Sequence, residues 1–241
     1  MTQDAQPEHL SKRVVVYRTL RMEAVRVRRD VPYRATEAGA LTLDIYYPPA
    51  RQDAARTPAV VFVLGYSDLG TEALLGCKLK EMGAYGSWAR LVAASGLIAI
   101  TYTTREPTAD IQTLLQYVRL KAADLGIDED RIGLWACSGN VPLALSVLMR
   151  EAREYVKCAV LCYGYMLDLE GATGVAEAAE TFRFVNPCAG RSIDDLPREL
   201  PLFIARAGQD QMPRLNETID RFMVKALSRN LPVTFVNHPA A

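Results

Sequence analysis

Histidine is almost missing from this chain: 241 residues contain two, His9 and His238, near opposite ends. That scarcity excludes a histidine-rich metal centre, and no cluster has metal-ligand spacing, so neither metal nor other cofactor is expected. Charge of one sign is also missing. Lys+Arg and Asp+Glu each number 28, which leaves no net field to draw the chain to nucleic acid or an anionic membrane. The five cysteines are odd in number and lack C-x-x-C spacing. Cys158 and Cys162, near one apolar strand, read as reduced core residues and point to a reducing compartment. No apolar run approaches the roughly 20 residues that span a bilayer. The opening MTQDAQPEHLSKR has no apolar core of a secretory signal. Repeats and low-complexity segments are absent as well. These absences predict a soluble cytoplasmic protein without nucleic-acid or membrane partners, and they leave its oligomeric state open.

Half of the residues are hydrophobic, enough for residues 1–241 to bury the core of one α/β domain. Residues 1 to about 12 read as a loose lead-in, with His9 a solvated tail residue. Val25 and Val27 alternate with arginines, and Leu41, Leu43 and Ile45 alternate with Thr42 and Asp44. Period-two alternation on both sides of Glu37-Ala38-Gly39 predicts antiparallel strands with one wet face, at one edge of the sheet. Pro48-Pro49 and the polar stretch to Thr57 close this unit. Continuous apolar runs then follow at 59–64, 97–102, 159–162, 202–205 and 233–236, as expected of strands buried on both faces. Helical stripes fall between them at 87–95, 110–125 and 212–229, the last turning Leu215, Ile219, Phe222, Met223 and Ala226 inward. Strands separated by helices argue right-handed βαβ units and a mostly parallel sheet. Residues 168–197 are the one irregular insertion, either a short lid over the ligand side or an ordinary surface loop.

The stretch that organises the rest is Arg131–Leu145, RIGLWACSGNVPLAL. Ile132, Leu134 and Trp135 end a buried strand, and small residues interrupt it. Leu145, Leu148 and Met149 then recur at helical spacing on a helix running to about Tyr155. Pro142 suits the first helical turn, where an N–H has no partner. Strand, corner and helix together lift Ser138 out of the sheet, with a helix N-terminus behind it to receive a developing oxyanion. Ser138 as a plain helix N-cap is the other reading of the same residues.

At these residues the chain resembles the α/β-hydrolase family, with Ser138 in the nucleophile position of the G-x-S-x-G elbow and Ala136 and Asn140 where glycines are expected. LTLDIYYPP, VFVLGY and LGIDEDRIGLW extend the resemblance over nearly the whole chain, toward small carboxylesterases and dienelactone-hydrolase-like proteins. It implies an α/β-hydrolase fold and a serine hydrolase acting on small carboxylic esters or lactones through an acyl-enzyme. Asp210, in Ala207-Gly208-Gln209-Asp210 after the 202–205 strand, takes the acid's position. A helix N-terminal carboxylate is its other reading, and Asp168 is the alternative acid. The oxyanion donors implied are Gly139 N–H and one from the Gly65-Tyr66 turn, with Tyr66 N–H preferred and Gly65 permitting the close approach. Cys137 as nucleophile would need Trp135 where a small residue is required. The base must be a histidine after the last strand. The family has it several residues beyond a proline-containing turn, before a final covering helix, whereas this chain offers His238 at the strand's end. The resemblance therefore implies a truncated or partly observed chain whose base lies beyond Ala241, with His238 reaching back to Ser138 as the alternative. A non-catalytic or nucleotide-binding α/β protein is the competing class, although Gly65-Tyr66-Ser67-Asp68-Leu69-Gly70 has neither dinucleotide nor P-loop spacing. Acyl-chain preference is not legible.

Overall fold

In a computed structural model the antiparallel pair forms the edge that the alternation predicts. The structure describes residues 9–49, 56–150 and 154–241. The lead-in through residue 8, the polar stretch 50–55 and residues 151–153 of the expected elbow helix lie outside the described residues. Strands β1 (Arg26–Thr36) and β2 (Gly39–Tyr47) pair antiparallel, and β2 pairs antiparallel with β4 (Ile98–Tyr102). The parallel body comprises β3 (Thr57–Phe62), β4, β5 (Ile127–Cys137), β6 (Val156–Cys162), β7 (Leu202–Ala207) and β8 (Val233–His238). The sheet order is β1-β2-β4-β3-β5-β6-β7-β8, which sets β5 between β3 and β6. His9 is exposed and caps a short 3-10 turn, Leu10–Lys12, with its ring nitrogen.

Among the described residues seven helices fill the connections: α1 (Asp68–Leu75), α2 (Gly83–Ala94), α3 (Pro107–Leu120), α4 (Ala122–Leu125), α5 (Val141–Arg150), α6 (Gly174–Phe182) and α7 (Leu215–Ser228). On α3, Ile111, Leu114, Leu115 and Val118 are buried as one stripe. The expected helix over 110–125 breaks at Lys121 into α3 and α4. On α7 the five predicted inward residues are all buried, and Leu215, Ile219, Phe222 and Met223 are each worth roughly 1.5–3 kcal/mol of apolar transfer. Residues 141–149 of α5 are all buried, so this helix is enclosed on every side.

Two expectations need correction. Residues 168–197 are not irregular, because α6 and a 3-10 turn at Ile193–Asp195 lie within them. Cys158 is not a core residue. It is exposed on β6, and Cys162, two register steps along the same face, is half-buried. On the same face Phe203 is 37% and Val236 45% exposed, and β8 is solvated along nearly its whole length. All five cysteines are free thiols. Among the described residues, no helix is long and apolar enough to cross a membrane.

Candidate active site

β5 stays extended through Cys137 and then turns abruptly. Ser138 has φ +53° and opens a 3-10 turn, Ser138–Asn140, that runs straight into α5. A helix N-cap has β-region dihedrals, so this backbone is not that of a cap. A left-handed non-glycine residue costs about 1–3 kcal/mol and persists where its surroundings dictate it. The side chain is half-buried at the carboxyl end of the sheet. Cys137 beside it is buried, 3.7 Å from the Tyr85 hydroxyl, and burial pushes its thiol up to about 11. A thiol held protonated is a poor nucleophile at neutral pH.

The turn after β3 meets this elbow in backbone contact. A Cβ on Gly65 would lie 2.8 Å from the Gly139 carbonyl oxygen and 3.0 Å from Asn140 Cα. A Cβ on Gly139 would overlap the Tyr66 hydroxyl and the Phe184 ring. Gly65 N–H donates to Asn140 Oδ1 at 2.6 Å, so this N–H is already occupied. The Tyr66 N–H has no partner among the described residues. Gly139 N–H lies in the first turn of the 3-10 segment, where an N–H has no helical acceptor. Tyr66 is half-buried. Burial raises its phenol to about 12, against a lowering hydrogen bond with the Ser138 side chain.

Aromatic rings connect the Ser138 side to the loop that holds Asp210. Tyr66 meets Phe184 edge-on at 5.9 Å between centroids, and Phe184 stacks on Tyr165 at 5.4 Å. The Tyr165 hydroxyl donates to Pro213 O at 3.0 Å. Burial and then the negative charge of Asp210 raise the pKa of Tyr165. Asp210 is half-buried in the loop after β7, and its Oδ1 accepts from Met212 N–H at 2.8 Å. Because α7 begins at Leu215, Asp210 is not a carboxylate of the helix's first turn. Asp168 is engaged elsewhere: its two oxygens accept from Val175 N–H (2.8 Å) and Ala176 N–H (2.9 Å) at the start of α6.

His238 is the last residue of β8, paired with Ala207 across the strands, and its side chain is exposed. Among the described residues neither its ring nor that of His9 hydrogen-bonds Ser138 or Asp210. Its backbone does approach the Asp210 loop. Gly208 N–H donates to His238 O at 2.8 Å, and Gln209 N–H donates to Ala241 O at 2.6 Å. Among the described residues no group of three or more His, Cys, Asp or Glu could hold a metal ion. Sequence reasoning missed the bridging role of Asn140 and the approach of Phe184; the asparagine in place of a glycine was the visible signal for the first.

No family model and no curated protein matches the sequence. Solved structures do. An esterase from the planctomycete Thermogutta terrifontis, solved with propionate bound, matches at 21% identity and a TM-score of 0.63, covering 90% of this chain and 84% of that one. The same esterase phosphorylated by paraoxon matches at 19% identity and a TM-score of 0.62, covering 91% and 84%. An alpha/beta hydrolase enzyme, MGS-M1, from a Medee basin deep-sea metagenome library matches at 18% identity and a TM-score of 0.61, covering 90% and 82%. With an eight-stranded, mostly parallel sheet, its antiparallel edge and helices on the crossovers, the chain has the α/β-hydrolase fold.

Proposed function

We propose that the chain is a serine hydrolase of small carboxylic esters or lactones, working through an acyl-enzyme on Ser138. The backbone of Ser138 carries the reading. A non-glycine residue at φ +53° directly follows a central parallel strand, half-buried and hydrogen-bonded to the Tyr66 hydroxyl, while the Tyr66 N–H has no partner among the described residues. In the reaction Ser138 Oγ attacks the carbonyl carbon while a histidine takes its proton. Gly139 N–H and Tyr66 N–H donate to the oxyanion. Collapse expels the alkoxide, which leaves as the alcohol with the proton from the histidine. In a lactone the alkoxide stays tethered to the acyl chain. Water then repeats the sequence, giving the carboxylic acid and free Ser138. Asp210 holds the base's tautomer and stabilises its charged form. The neighbour solved with propionate and with paraoxon phosphorylation supports a site for short acyl groups and for phosphorus electrophiles.

The base on this reading comes from the end of β8, since the backbone of His238 and the residues after it runs beside the Asp210 loop. His238, the last residue of β8, serves as that base when its exposed ring turns inward. The second reading, a non-catalytic protein on this fold, is favoured by one observation: no imidazole among the described residues contacts Ser138. Treatment with a fluorophosphonate followed by peptide mapping separates the two. Modification at Ser138, with p-nitrophenyl acetate turnover lost in Ser138→Ala, is expected. Modification at Cys137, or undiminished turnover in Ser138→Ala, would refute the nucleophile. A folded protein that neither labels nor turns over would establish the second reading.

A further inference from the structure

We infer that Asn140 is a positioning residue for the oxyanion site, its amide tying the Gly65-Tyr66 turn to the nucleophile elbow and fixing the direction of Tyr66 N–H. The inference rests on the serine-hydrolase reading above. Asn140 is 3% exposed, and each end of its amide is used. Oδ1 accepts from Gly65 N–H at 2.6 Å, and Nδ2 donates to Cys137 O at 2.9 Å and to the Tyr85 hydroxyl at 3.0 Å. A flipped amide would set its NH₂ against the Gly65 N–H and its oxygen against a carbonyl, so the partners dictate the orientation.

The consequence runs along the backbone. Peptide units are planar and trans, so fixing one side of a unit fixes the other. Asn140 holds the unit that contains Gly65 N–H. Val185 N–H donates to Gly65 O at 2.9 Å and thereby holds the next unit. That second unit carries Tyr66 N–H, which must point away from Val185. With both units clamped and Gly65 pressed against Gly139 O, the turn cannot rotate this donor out of line. A glycine at position 140 would release the first clamp while leaving the second. Loss of alignment by about 1 Å in such a site costs up to about 100-fold in rate.

The test combines phosphonylation kinetics with hydrogen exchange on the full chain. In Asn140→Gly, the maximal rate of Ser138 phosphonylation by a fluorophosphonate should fall about 30-fold. The half-saturating concentration should change less than about threefold, because alignment acts on the transition state rather than on encounter. Amide exchange over residues 64–67 should accelerate while β4 is unchanged. Tyr85→Phe, which leaves the Gly65 and Cys137 bonds in place, should label within about threefold of wild type. If Asn140→Gly folds poorly, Asn140→Asp serves instead. Its carboxylate keeps an acceptor for Gly65 but loses the donor to Cys137, so its rate relative to wild type should recover as pH falls and the acid protonates. The titratable groups facing it, Tyr85 and Cys137, are both held protonated by burial. Unchanged exchange at 64–67, or wild-type labelling in Asn140→Gly, overturns the inference. Faster exchange in a protein whose Ser138 never labels would leave the tie standing and bring down the hydrolase reading, with the oxyanion role that rests on it.

Discussion

On the proposed serine-hydrolase reading two aspartates compete for the role of the acid, and the partners they already hold separate them. Asp168 spends both oxygens on the first N–H groups of α6, whereas Asp210 spends Oδ1 on Met212 and keeps Oδ2 without a partner among the described residues. Asp210→Asn should therefore lower kcat by about 10⁴-fold, as when a triad acid loses its charge. Asp168→Ala should instead cost about 1 kcal/mol of stability as a lost cap, with kcat little changed. Esterase assays and thermal melts on both variants check this. A large kcat loss at Asp168 with none at Asp210 would move the acid to the β6 loop. At this scale Ser138 was legible because its elbow is local: strand, small residues and helix lie within one contiguous stretch. Asn140 was not, because its partner Gly65 is 75 residues away and pairs with it through the fold alone. The same holds for Asp168, whose capping duty depends on α6.

Among the elements, the β6–β7 connection shapes the site most. Val175 and Ala178 anchor α6, and the chain leaving it lays Phe184 over Gly139. Val185 N–H then bonds Gly65 O, and Cys188 Sγ donates to Pro142 O at 3.1 Å. Ties to both the turn and the elbow favour a fixed wall over a swinging lid. Phe184→Ala should open room above the nucleophile and raise kcat/KM for a p-nitrophenyl hexanoate relative to the acetate by about 10-fold. Truncating a buried phenylalanine should also destabilise by about 3 kcal/mol. An unchanged chain-length profile would show that Phe184 does not bound the acyl group. Most elements were legible from apolar periodicity, and α7 kept all five predicted inward residues. Helix α1 was not, for a physical reason. It buries Asp68 and Thr71 while Leu69 and Leu74 are 71% and 73% exposed, which reverses the usual pattern. In α6 the small, acidic composition hid a nine-residue helix.

Across the whole molecule, charge is buried beside the antiparallel edge and the loop that follows β4. Lys80 bridges Asp30 (2.7 Å) and Asp44 (2.9 Å), and those hydrogen bonds raise its pKa even though burial alone would lower it. Asp110, fully buried, accepts from Thr104, Arg105, Glu106 and Arg34. Such networks were invisible in the sequence, since strand alternation predicts a wet face but not which charges meet beneath it. Asp68 differs from these in having no cationic partner in contact among the described residues. It is 6% exposed, its Oδ2 accepts from Thr104 N–H at 2.9 Å, and its own N–H donates to Thr104 O at 2.7 Å. This pair fastens the far end of the turn that carries Tyr66. Burial raises the Asp68 carboxyl from 3.8 to about 6, against the lowering effects of the Thr104 bond and Lys78. A carboxyl whose folded pKa lies above its unfolded value binds more protons in the folded state between the two. Its contribution to stability is then fully present below about pH 3.8 and is lost as pH rises through about 6. Asp68→Asn keeps an acceptor for Thr104 N–H and removes the titration. The variant should match wild type near pH 4 and exceed it above pH 6 by roughly 2–3 kcal/mol at most, since each unit is about 1.36 kcal/mol. The quantity to measure is the difference between the two proteins in urea unfolding from pH 4 to 7. A difference that stays constant across that range would mean that Asp68 ionises as freely folded as unfolded, and the charge would then have to be solvated in a way this loop does not display.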